Sequence, residues 1–210
     1  MRLLLAGASG LVGQQVLRLA LTDAGVAQLV APTRRALAPA PKLLNPLVDF
    51  EHLPADAPWW KVDAVICTLG TTMAQAGSEA AFRRVDLDYP LAVARLARAA
   101  GAQAFVLNSA LGAAAHSRVF YNRVKGEAEN AIAALGYPSL TLVRPSLLDG
   151  GPRPEARRGE HIALLFARVL RPLIPARYRA VATQAVARTL LAAAMAREPG
   201  MRIVESERIA

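Results

Sequence analysis

Short apolar runs alternate along the whole chain with stretches whose apolar residues recur every three or four positions. The runs are Arg2 to Ala6, Ala27 to Ala31, Leu47 to Asp49, Ala64 to Thr68, Ala104 to Asn108 and Leu140 to Val143, with a last one at Arg202 to Val204. Nearly continuous apolar runs of this length read as strands buried on both faces. Helical spacing fits Leu11 to Asp23, Asp86 to Ala100, Tyr121 to Leu135, Ile162 to Leu170 and Ala185 to Arg197. Gly25, Gly101 and Gly136 fall where helix C-caps are wanted. The stretch from Ala36 to Pro46, broken by Pro39 and Pro41, reads as a loop. The alternation predicts an α/β fold, a doubly wound parallel sheet in a single domain over 1–210. After Pro145 it weakens, and GGPRPEARRGE reads as a long irregular connection.

The first strand-to-helix junction carries chemistry. In RLLLAGASGLVGQQVLRLAL, Gly7, Gly10 and Gly13 stand between a strand and a helix in a G-x-x-G-x-x-G pattern. A dinucleotide-binding turn needs glycines for a tight bend, for close backbone approach to a pyrophosphate, and for packing helix on strand. The helix that follows presents free N–H groups and the positive end of its dipole to the phosphates. Gly7, Ser9, Gly10, Leu11, Val12 and Gly13 are therefore candidate cofactor-binding residues of a Rossmann unit. A plain βα turn is the reading they compete with.

Composition narrows the field. The chain has 210 residues and a single cysteine, which excludes an internal disulfide framework. Cys67 ends an apolar run and reads as a buried small hydrophobe. His52, His116 and His161 lie far apart without metal-ligand spacing, so no metal site is expected. No run approaches the ~18 apolar residues of a membrane span. The expectation is a soluble, cytoplasmic protein. The net charge of +9 comes from scattered residues, almost all arginine, with no basic block. It reads as background plus a local preference for phosphate-bearing cofactors, not as a nucleic-acid footprint.

The end of the second strand distinguishes NAD from NADP. A carboxylate there binds the ribose 2′-hydroxyl, whereas an arginine accommodates a 2′-phosphate. QLVAPTRRAL ends in Thr33, Arg34 and Arg35 with no acid. Two guanidinium forks, able to pair a phosphate and stack on adenine, favour NADP(H) over NAD(H). Asp49 and Phe50 after the third strand are placed for the adenine edge. Leu69, Gly70 and Thr71 after the fourth are placed for the ribose.

A second constellation lies in FYNRVKGEAE, where Tyr121 and Lys125 are four apart on one helix face. A phenol ionises near pH ~10, too high for acid–base work at neutral pH. A lysine ammonium beside it favours the phenolate. Tyr121 would then exchange a proton with a carbonyl oxygen as hydride arrives or leaves. Ser109, just after the strand AFVLN, is placed to aim its hydroxyl at the same oxygen.

GASGLVG, TRR, CTLGTT, RRVDLDY, the set Ser109–Tyr121–Lys125, LVRPSLL and RRGE together resemble the atypical short-chain dehydrogenase/reductases. Within it the chain looks most like the small Tat-interacting-protein-like group, related more distantly to NmrA-like proteins. The resemblance implies NADP(H) binding, with Tyr121 as acid/base, Lys125 orienting it and Ser109 polarising a small carbonyl or alcohol substrate. It implies that Arg144, Pro145 and Ser146 line the nicotinamide side, and that 145–182 is a short substrate segment. It also makes a homodimer through the long helices an expectation. The sequence departs from the pattern at Asp86, where extended relatives carry asparagine, and at Asn108, a candidate cofactor contact where the branch often has serine. The expected activity is oxidoreduction. An NADP(H)-sensing regulator with little or no turnover is the alternative, and an isomerase or dehydratase using the cofactor transiently a third.

Overall fold

The computed structural model describes residues 1–149 and 175–209. Within them the chain runs β1 (Arg2–Ala6), α1 (Leu11–Thr22), β2 (Gln28–Val30), β3 (Leu43–Leu44), β4 (Ala64–Cys67), α2 (Met73–Ala76), α3 (Glu79–Arg83), α4 (Tyr89–Ala99), β5 (Ala104–Asn108), α5 (Phe120–Ala133), β6 (Ser139–Arg144), β7 (Leu148–Asp149), β8 (Val181–Ala182), α6 (Thr183–Ala196) and β9 (Gly200–Glu205). Among the described residues, seven strands form one sheet in the order β3-β2-β1-β4-β5-β6-β9. Every neighbouring pair in it is parallel. β7 and β8 pair separately.

The strands read as unbroken apolar runs because both faces of the sheet are covered. Leu3 and Leu5 of β1 lie in one core with Val16 and Ala20 of α1 and Val186 and Leu190 of α6. Leu4 and Ala6 lie in the opposite core with Val93 and Ala97 of α4 and Ile132 of α5. Each leucine buried this way is worth about 1.5–3 kcal/mol against exposure to water. Strand order reverses between β1 and β4, and the carboxyl ends of the strands open there onto the crevice where such sheets take ligands.

Three details differ from the sequence expectation. The third strand is Leu43–Leu44, inside the proline-bearing loop, and Leu47 contributes only an isolated bridge to Thr33. The helix expected over Asp86 to Ala100 is instead α3, a widened π turn at Arg84–Asp88, and then α4. Pro90 has no N–H to give the Asp86 carbonyl, and the Tyr89 N–H reaches back to Arg84, so the ladder widens before α4 begins. Gly25 is not a left-handed cap. Asp23 ends α1, and Gly25 packs under the tip of Met195, whose Cε would lie 2.4 Å from a Cβ there and would have to swing aside. Gly101 and Gly136 do adopt positive φ, at +101° and +64°. The helix expected over Ile162 to Leu170, the connection GGPRPEARRGE and most of the expected substrate segment lie outside the described residues.

Candidate active site

The glycine turn is built by close approach. Gly7 has φ +89°, and a Cβ there would lie 2.7 Å from the Leu69 amide nitrogen. A Cβ on Gly13 would lie 2.0 Å from the Gly7 carbonyl oxygen. Gly10 is different, since its nearest such neighbour is Gly7 O at 3.4 Å. Ser9, Gly10 and Leu11 are exposed while Val12 and Gly13 are buried. α1, twelve residues long, has Gly10 at its N-cap, with no side-chain cap and no acid in its first turn. A bare helix N-terminus beside an open glycine fits a dinucleotide phosphate. Thr68 locks the turn from the next strand, its Oγ1 lying 3.1 Å from both the Ala6 and Gly7 carbonyl oxygens. From the sequence alone Thr68 reads only as a strand end.

At the end of β2, Thr33 is buried and Arg34 and Arg35 are exposed. Thr33 Oγ1 donates to the Arg35 carbonyl at 2.6 Å. Asn45, which sequence reasoning missed, donates to Thr33 Oγ1 at 2.8 Å and to the Ala31 carbonyl at 2.6 Å. Two exposed guanidinium groups thus sit on a braced loop at the same sheet edge as the glycine turn. Asp49 is exposed, and its Oδ2 meets His52 Nδ1 at 3.0 Å. The hydrogen bond with His52 holds the Asp49 carboxyl below its usual range and raises the His52 imidazole. Phe50 is buried against Tyr89, with ring centroids 5.7 Å apart.

Helix α5 brings Tyr121 and Lys125 to this edge. Tyr121 is 36% exposed, its ring 5.5 Å from that of Phe82, whereas Lys125 is 5% exposed. Lys125 Nζ lies 2.8 Å from Asp86 Oδ1, and Asp86 is 1% exposed. Burial pulls the ammonium pKa down, but the Asp86 charge and, less strongly, Tyr121 outweigh it and leave the pKa above its usual value. Asp86 Oδ2 also accepts the Thr71 N–H at 2.8 Å, and a Cβ on Gly70 would come within 3.2 Å of Asp86 Oδ1. Leu69, Gly70 and Thr71 are thereby fastened to α5 through one carboxylate. Gly126 lets α5 approach closely, since a Cβ there would lie 2.2 Å from Ala115 N. A glycine inside a helix is a signal for such packing.

Ser109 and Arg144 are engaged by a residue that the sequence reading did not single out. Ser109 Oγ donates to Glu129 Oε1 at 2.5 Å, and both residues are 4% exposed. Arg144 grips the same carboxylate through Nε at 3.0 Å and Nη2 at 2.5 Å, and reaches Glu205 Oε1 at 3.1 Å. Hydrogen bonding to Glu129 raises the Arg144 guanidinium above its ordinary value, partly opposed by burial. Pro145 is buried, and its carbonyl accepts the Leu111 N–H at 2.8 Å. Ser146 is stitched to the Ser206 hydroxyl and the Arg179 carbonyl. Asn108 closes β5, its Oδ1 buried without a partner. Cys67 is buried at the end of β4, and desolvation pushes its thiol up to about 12, so it is no nucleophile. Among the described residues no group of three His, Cys, Asp or Glu is arranged to hold a metal, and no helix is long and apolar enough to cross a membrane.

Fold and site together define a Rossmann protein of the short-chain dehydrogenase/reductase type. The chain is similar to the mitochondrial protein fmp52 of Emericella nidulans, 34% identical over 179 residues, covering 79% of this chain and 74% of that protein. It is similar to protein HTATIP2 of Rattus norvegicus, 38% identical over 165 residues, covering 76% and 67%. The chain belongs to the atypical short-chain dehydrogenase/reductase family of the FMP52 and HTATIP2 proteins. No family model matches it. Among solved structures, MoeE5 in complex with UDP-glucose and NAD superposes with TM-score 0.72 at 18% identity, covering 97% of this chain and 75% of that one. UDP-glucose 4-epimerase of Thermotoga maritima gives 0.69 at 16%, covering 99% and 78%. These likenesses show the fold.

The expected cytoplasmic placement is overturned, because the fungal relatives are named as mitochondrial. A lone reduced thiol suits any reducing compartment, so composition does not separate the cytosol from the interior of an organelle.

Proposed function

We propose that the chain is an NADP(H)-dependent oxidoreductase that transfers hydride to or from a small carbonyl or alcohol. The observation that carries this reading is the Tyr121–Lys125 pair of α5, a half-open phenol and a buried ammonium at the sheet edge that also bears the glycine turn. Gly7, Ser9, Gly10, Leu11, Val12 and Gly13 would hold the pyrophosphate by backbone N–H groups. Thr33 would brace Arg34 and Arg35 against the 2′-phosphate, and Asp49 and Phe50 would border the adenine. Leu69, Gly70, Thr71 and Asn108 would border the ribose, with Arg144, Pro145 and Ser146 behind the nicotinamide. The bound cofactor supplies or accepts the hydride. Tyr121 gives its phenolic proton to the carbonyl oxygen, or takes it back in the reverse direction, and Lys125 favours the phenolate. Ser109 serves the same oxygen only after its hydroxyl turns from Glu129.

The test has two parts. Fluorescence titration should give at least tenfold tighter NADPH than NADH binding, with the preference lost in Arg34→Ala/Arg35→Ala. Equal affinities in the unaltered chain would sink the NADP assignment. A screen of small carbonyl compounds should find NADPH oxidation that falls a hundredfold or more in Tyr121→Phe. Full activity in that variant would remove Tyr121 from the reaction. A second reading, an NADP(H) sensor, is favoured by one observation: Ser109 and Lys125 are both spoken for, by Glu129 and Asp86. Tight NADPH binding with no turnover across the screen is its signature.

A further inference from the structure

Asp86 is the carboxylate that meets Lys125 inside the site, and the hydride-transfer roles proposed above do not use it. It sits in the π turn at Arg84–Asp88, where the widened backbone buries it while Arg84 and Asp88 on the same turn face outward. Two groups from separate elements converge on it: the Thr71 N–H from the loop after β4, and Lys125 Nζ from α5. The space is filled, since even a Cβ on Gly70 would press to 3.2 Å from Asp86 Oδ1 and 3.6 Å from Lys125 Nζ. The other ionisable groups that face the pair are Tyr121 from α5 and Cys67 from β4. The ion pair of Arg83 with Glu127, which joins α3 to α5, lies half-exposed and so is better screened.

A lysine beside a phenol stabilises the phenolate by its charge alone. A buried carboxylate touching the same ammonium cancels much of that charge at the phenol, because the two opposite charges lie only 2.8 Å apart. We propose that Asp86 is a positioning residue that acts through Lys125, holding the ammonium in place as its counter-ion and restraining its effect on the Tyr121 phenol. This rests on the reading of Tyr121 as acid/base. A phenol beside a compensated lysine suits donation to a carbonyl better than abstraction from an alcohol.

The test reads the phenol directly and needs no substrate. The phenolate absorbance of the full chain is followed against pH, and the same titration of Tyr121→Phe is subtracted to isolate Tyr121. Tyr137, pushed up by burial, and Tyr89, raised by burial and by its bond to Glu51, separate towards higher pH. Asp86→Asn keeps an acceptor for Thr71 but removes the charge, and the Tyr121 midpoint should fall by about one pH unit. Lys125→Met should raise it by about the same amount. The double variant Asp86→Asn/Lys125→Met, which leaves neither charge unpaired, should return within a few tenths of a unit of the unaltered chain. If Asp86→Asn does not fold, the double variant against Lys125→Met decides alone. A double variant as high as Lys125→Met, or an unmoved midpoint in folded Asp86→Asn, overturns the proposal. Failure to find NADPH turnover strikes the proposed function and leaves these midpoints readable.

Discussion

Around the glycine turn the chain leaves side chains out, whereas around α5 it buries charged ones. Gly7 and Gly13 have no room for even one carbon, and Thr68 closes the turn with a neutral hydroxyl. On α5, Lys125 and Glu129 stand four apart on one face. One is tied to Asp86, the other to Arg144 and Ser109. Backbone presented without side chains suits a phosphate, whose charge needs N–H groups and space. Fixed charges suit proton transfer, where a neighbour's charge sets the direction. The first region should therefore fail when atoms are added, and the second when charges are removed.

Removing Glu129 is the strongest way to break that contrast. Glu129→Ala leaves Arg144 with only the partly exposed Glu205 among the described residues, and leaves the Ser109 hydroxyl without its acceptor. Losing one partner of a buried ion pair costs about 3–5 kcal/mol. A loss of about 4 kcal/mol should lower the Tm by roughly 10 °C in a domain of this size. Glu129→Gln, which keeps oxygen and shape, should recover less than half of the loss if charge is what matters. Calorimetry that finds either variant within a degree of the unaltered chain would show that packing, not charge, holds α5.

Adding one methyl to the other region separates fold from ligand. Gly13→Ala drives a Cβ to 2.0 Å from Gly7 O, a backbone atom that cannot swing aside, so about 3 kcal/mol of stability should be lost. Gly10→Ala meets nothing closer than 3.4 Å and should change stability by less than about 0.5 kcal/mol. Its methyl would nonetheless intrude where a phosphate approaches, so NADPH affinity should fall at least tenfold. Unchanged affinity in a folded Gly10→Ala would mean that the glycine pattern serves the turn alone.

The same contrast explains what could be read from the sequence. β1 and β5 fall where the apolar runs put them, because burial on both faces leaves a purely local signature. The glycine turn is legible in part for the same reason, since Gly13 is excluded by Gly7 six residues away, whereas the crowding of Gly7 by Thr68 and Leu69 has no local sign. Asp86, Glu129 and Asn45 were not legible as site-builders. Their partners lie 39, 15 to 20, and 12 to 14 residues away, judged from Lys125, from Arg144 and Ser109, and from Thr33 and Ala31. No periodicity links a carboxylate to a cation that the fold brings round later. The π turn was hidden as well, although Pro90 four residues after Asp86 was its local sign.

Thr68 is the finest probe, because it is where the neutral region depends on a hydrogen bond. Its hydroxyl has one proton and two carbonyl oxygens at 3.1 Å, so it is shared between Ala6 and Gly7. Thr68→Val keeps the shape and the β-branch of the strand end but removes that donor. A single such bond is worth about 1 kcal/mol net. Both carbonyls have other donors, the Thr68 N–H to Ala6 O and the Gly10 N–H to Gly7 O, so neither is orphaned. The Tm should fall by roughly 2–4 °C. NADPH affinity should weaken by less than a factor of ten, because Gly7 and Gly13 still fix the turn by exclusion. A loss of affinity as large as that of Gly10→Ala would show that the turn is held open by the hydroxyl and not by the missing side chains, and the contrast between the two regions would narrow to a difference in charge.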